Sequence, residues 1–73
     1  TVVENLRGPI AQIYRRTGES SMEMSRLAIL VSNSLGDSPP RYAPAMVMEA
    51  IRALESSGEY IIDGTWVSLP KQD

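Results

Sequence analysis

The stretch from Glu59 to Leu69 constrains the fold more than any other part of this chain, because two β-prone runs flank an Asp-Gly pair. Asp-Gly between alternating apolar residues is the strongest short-range signal for a hairpin closed by a two-residue type I′ turn. With Asp63-Gly64 as the loop, Ile62 is predicted to face Thr65, Ile61 to face Trp66, and Tyr60 to face Val67. Alternation then puts Tyr60, Ile62, Thr65, Val67 and Leu69 on the core face and Glu59, Ile61, Trp66 and Ser68 on the other. A one-residue slip would instead turn Trp66, the single tryptophan, into the core. Two strands alone are marginal in water, so the preceding residues must cover one face of the hairpin.

Those preceding residues read as three helices. The first is predicted over Pro9 to Arg16, with Ile10, Ile13 and Tyr14 on one stripe and Gly18 at the left-handed cap. Val2 to Arg7 reads as a helical turn ahead of a kink at Gly8-Pro9, since proline fits best in a first helical turn. Ser20-Ser21-Met22-Glu23 matches the Ser-x-x-Glu capping box and predicts the start of a second helix that runs to about Leu35 and stops at Gly36. Its buried face comprises Met24, Leu27, Ala28, Val31 and Leu35, widened by Ile29 and Leu30, with Met22 as further core filler. Asp37 to Tyr42 reads as a loop around paired prolines. The third helix is expected from Pro44 to Ser56, with Val47, Ala50, Ile51 and Leu54 inward. Its opposite side carries Ala45, Met48, Glu49, Arg52, Ala53 and Ser56.

Composition narrows what such a domain can do. A chain of 73 residues holds one small domain with little stability to spare for a large substrate cavity. Cysteine and histidine are both absent, which removes disulfides, the usual zinc ligands and the usual neutral-pH general base. The aspartates show no calcium-loop spacing, no serine sits in a nucleophile elbow, and no glycine-rich phosphate loop occurs. The expectation is a protein that is not an enzyme and uses no metal, cofactor or small-molecule substrate. No apolar run is long enough to span a membrane, and no signal-peptide pattern opens the chain, so an intracellular setting is expected. Opening on Thr1 and ending on Lys71-Gln72-Asp73, the sequence reads as a fragment of a larger protein.

Three short helices followed by a hairpin make an α+β arrangement that resembles the winged-helix superfamily, with the hairpin as the wing. The resemblance covers nearly the whole chain and is most specific from Val47 to Trp66, where the third helix gives way through Ser57-Gly58 to the first wing strand. The long Gly36-to-Ala43 connection departs from the tighter turn of many members. The resemblance implies either a nucleic-acid reader in a regulatory, replication or transcription protein, DNA before RNA, or a protein-docking module.

For nucleic acid, the third helix would enter the major groove, with Arg41 and Tyr42 before it, Arg52 on its exposed side and Arg26 on the second helix. Arg15 and Arg16 would be more remote, at a helix C-terminus that favours cations without any partner. The net charge of −2 argues against strong binding by the domain alone. Arg52, three residues from both Glu49 and Glu55, is expected to pair along its own helix. Tyr42 can stack on a base or plug the helix junction. For protein docking, the candidates are Met48 on the third helix, with Met46 at its edge, and the outward pair Ile61 and Trp66 on the wing.

Overall fold

A computed structural model of the chain describes residues 1–36 and 41–70. The fold is α+β: α1 (Val2–Thr17), β1 (Ser21–Glu23), α2 (Met24–Leu35), α3 (Pro44–Ser56), β2 (Ile61–Asp63) and β3 (Trp66–Ser68). The predicted loop over Asp37 to Pro40 lies outside the described residues.

The first helix does not wait for Pro9. It runs unbroken from Val2 through Gly8-Pro9, capped at its start by the Thr1 hydroxyl, which accepts from the Glu4 amide at 3.2 Å. Leu6, Ile10, Ile13 and Tyr14 form one continuous buried stripe. An interior proline costs about 3 kcal/mol relative to alanine. Complete burial of Leu6 returns roughly 1.5–3 kcal/mol, and the packing of Val3 and the Thr1 cap supply the rest. The stop is as expected, with Gly18 left-handed at φ 71°.

Ser20 to Glu23 form no capping box. Ser21–Glu23 is instead a strand that pairs antiparallel with β3, Met22 opposite Val67. The Leu69 amide donates to the Ser20 carbonyl at 2.8 Å and the Met24 amide to the Thr65 carbonyl at 2.7 Å, so the sheet satisfies backbone groups that a helix start would leave orphaned. Extension also drives Met22 into the core. Capping passes to Glu23, whose side chain accepts from the Ser25 amide at 2.8 Å. Met24, Leu27, Ala28 and Val31 are buried as predicted and Leu30 and Leu35 partly so, but Ile29 is exposed.

The third helix matches its prediction at both ends and in all four inward residues. It packs against α1 and α2, and the sheet closes the open side of this three-helix core. The sheet order is β1-β3-β2, so the last strand is central.

The hairpin register differs from the expected one. Ile61 faces Ser68, Ile62 faces Val67 and Asp63 faces Trp66, leaving Gly64-Thr65 as the loop. Gly64 carries φ 62° and among the described residues none other than glycine has positive φ, Thr65 included, which excludes type I′ and matches a turn with glycine at its first central position. The cause is the third strand, since this register aligns Met22, Val67 and Ile62 in one inward row. The pairing has moved by two residues, so alternation keeps its phase: Tyr60, Ile62 and Val67 face inward, and Ile61 and Trp66 face out. Thr65 and Leu69, expected on the core face, are exposed because one lies in the turn and the other beyond the strand end.

Candidate interaction site

The four residues predicted for nucleic acid lie on different elements, Arg26 on α2, Arg41 and Tyr42 ahead of α3, and Arg52 on α3. Arg26, near the start of α2, pairs with Glu19 at 3.5 Å. Arg41 is exposed beside Ser32, Asn33 and Gly36 at the other end of that helix. At 1.5 Å per residue the two arginines are separated by roughly 10–15 Å along the helix axis. Tyr42 is the plug: half-buried against the core, it accepts from Asn5 Nδ2 at 3.0 Å through its hydroxyl and from the Ser32 hydroxyl at 2.8 Å through its carbonyl. Arg52 is exposed on α3, but the expected pairing along its own helix is not made, because no ion pair joins it to Glu49 or Glu55. Arg15 and Arg16 occupy the last turn of α1, where the helix dipole accommodates them.

The protein-docking candidates also divide. Met48 is half-buried and packs against the core, so it offers little surface; Met46 is the exposed methionine of α3, beside Val2 and Val3. Ile61 and Trp66 remain outward, at 50% and 52% exposure. They are diagonal neighbours and not directly opposed, since Trp66 faces Asp63 and Ile61 faces Ser68.

Built strand by strand, the outer face of the sheet has two rows. One is Ile61, Ser68 and Ser21, with the Ser68 and Ser21 hydroxyls bonded at 3.0 Å. The other is Asp63, Trp66 and Glu23, a tryptophan with a carboxylate on each side. These acids were missed from sequence because Glu23 was read as a helix residue and Asp63 as a turn residue. The polar–apolar–polar alternation of Ser21, Met22 and Glu23 was the one available signal, and three residues are too few to separate it from a helix start.

A cleft between α1 and the sheet is lined by Arg7, Ala11, Ser21, Glu59, Leu69 and Pro70, among others. Its two charged side chains engage each other. Arg7 reaches Glu59 through Nε at 3.0 Å and Nη2 at 3.1 Å, and the Ser57 hydroxyl donates to the same carboxylate at 2.9 Å. This fork ties α1 to the α3–β2 junction, 52 residues away in sequence. Deeper, the Tyr14 and Tyr60 rings stack with centroids 5.9 Å apart. Burial, then Tyr60 and Glu19, push the Tyr14 hydroxyl up to about 12, and burial, then Glu59, raise Tyr60 against an opposing effect of Arg7. Both shifts lead away from neutral pH. Among the described residues no cluster of acidic side chains is arranged to hold a metal ion, and no helix is long and apolar enough to cross a membrane.

Compared with known proteins, the chain matches no family model, no curated protein and no solved structure. Fold and surface chemistry are therefore the grounds for a functional reading.

Proposed function

We propose that this chain is a non-enzymatic docking domain of winged-helix type that binds a protein partner through the outer face of its sheet, as part of an intracellular regulatory protein. One observation carries this reading: Ile61 and Trp66, diagonal neighbours on the outer face of the sheet, stand half-exposed, left uncovered by the elements among the described residues. Tryptophan is enriched at binding hot spots, and an outward Trp adds little to the stability of the fold it sits on. The helices and the inner sheet face supply the core, so the wing is free to serve recognition.

A nucleic-acid contact through α3 is the second reading, supported by Arg52, which is exposed and not neutralised by Glu49 or Glu55. An amide-shift titration with a mixed-sequence duplex and a single strand, at low and at near-physiological salt, separates the two. Docking through the sheet predicts no shifts at Trp66 or Ile61 with either nucleic acid. Salt-sensitive shifts spreading from Arg41 along α3 into the wing would replace it with the nucleic-acid reading.

A further inference from the structure

The sheet face is not uniformly apolar. Trp66 lies in the central strand with Asp63 opposite on one side and Glu23 opposite on the other. Residues directly opposed across strands have Cβ atoms about 4.5–5.5 Å apart, which puts both acidic residues next to Trp66 on the same face. Among the described residues no cation pairs with either acid, whereas Glu19 and Glu59 each hold an arginine. Glu23 uses Oε2 to cap α2, and no hydrogen bond occupies its Oε1.

We propose that this face receives a positively charged side chain, arginine or lysine, of a partner protein, with the cation seated on Trp66 between Asp63 and Glu23. The inference rests on the docking reading and names the chemistry of what docks. Charge complementarity is the argument. A partner that covers Trp66 must also cover the two flanking carboxylates. An apolar partner would strip their water and return nothing, whereas a cation satisfies both. Trp is also the best aromatic surface for a cation. Ile61, diagonal to Trp66, supplies an apolar rest for the aliphatic stem of such a side chain. Phosphate groups would meet the same two carboxylates as repulsion, so a nucleic acid is the wrong occupant for this face. The footprint is small: strands of three residues span about 10 Å, room for one anchoring side chain and its neighbours.

The test is selection of a displayed random heptapeptide library against the intact domain, followed by titration of the enriched peptides by Trp66 fluorescence and amide shifts. Enriched sequences are expected to carry an arginine or lysine next to an apolar residue. Exchanging that residue for glutamine should weaken binding about tenfold, and raising salt should weaken it as well. Trp66→Ala should abolish binding. Asp63→Asn with Glu23→Gln should erase the preference for a cation while leaving Trp66-dependent binding of neutral peptides. If that double variant fails to fold, Asp63→Asn alone should still cost several-fold. Peptides that need Trp66 but bind equally with glutamine overturn the cation and leave the docking reading standing. Failure to enrich any Trp66-dependent peptide overturns both. Concentration-dependent self-association that Trp66→Ala removes would make a second copy of this chain the occupant and overturn the proposal as well.

Discussion

The Tyr14 hydroxyl donates a 2.6 Å hydrogen bond to the backbone carbonyl of Val67, joining the last buried turn of α1 to the centre of the sheet. Val67 is fully buried between Met22 and Ile62, so this bond pins the strand that organises the other two. Inside a protein such a bond contributes about 1–1.5 kcal/mol, and leaving a buried acceptor without its donor costs about 1–3. Tyr14→Phe is therefore expected to lower stability by about 1–2 kcal/mol in urea denaturation. Tyr60→Phe, whose hydroxyl makes no hydrogen bond among the described residues, should cost less than half as much.

The same tyrosine sets an alkaline limit. Its folded-state pKa of about 12 lies above the ordinary 10, so the folded state favours the neutral phenol. That contribution is complete below pH 10, fades as pH rises, and is lost through pH 12; two pKa units correspond to roughly 2–3 kcal/mol. Denaturation midpoints measured from pH 9 to 12 should fall across this window. Tyr14→Phe should flatten most of the fall, with the raised Tyr60 accounting for what remains.

The glycine inside the first helix and the one that caps it should respond differently to alanine. Gly8 lies inside α1 at negative φ, and an added Cβ would meet nothing within 4 Å. Gly8→Ala gains roughly 0.5–1 kcal/mol of helix propensity, but its Cβ is crowded by the ring of Pro9 that follows it, so the net change should be smaller than that gain. Gly18 has equal space but φ 71°, and Gly18→Ala should destabilise by about 1 kcal/mol. Thermal melts of the two variants check the pair; a stabilising Gly18→Ala would contradict the left-handed cap.

The Arg7–Glu59 fork is bidentate but solvent-facing, with side chains 52% and 38% exposed. Water and salt screen it, so a double-mutant cycle of Arg7→Ala and Glu59→Ala should return at most about 0.5–1 kcal/mol of coupling. That coupling should shrink further in 1 M salt.

Trp66→Ala should leave the amide spectrum of the core intact and cost under about 1 kcal/mol, because the side chain is half in water. Acrylamide should quench the native fluorescence efficiently. Loss of fold in this variant would mean that the indole is a core group and would remove the docking surface.

Local chemistry was enough to read much of this fold. Proline at a first helical turn, apolar residues at helical spacing and a glycine past the end define α3 from Pro44 to Ser56, since each signal acts within a few residues. The outward phase of Trp66 was legible for the same reason: alternation depends on the parity of the pairing, and a two-residue change of register preserves it. Local signals failed where a distant segment supplied the deciding energy. Leu6 carries α1 across Gly8-Pro9 because the assembled core buries it, and Ser20 to Glu23 extend because β3, more than 40 residues later, offers backbone partners and a place for Met22. The acidic frame of Trp66 belongs to the same class. Glu23 and Asp63 carry no pattern in the chain that links them to Trp66, and only pairing of β1 and β2 with the central β3 sets both beside the indole. Sequence by itself determined the three helical segments, the hairpin and most of the residues they bury. Tertiary structure decided the strand register and the charge that surrounds Trp66, because those follow from contacts between residues too far apart for any local propensity to register.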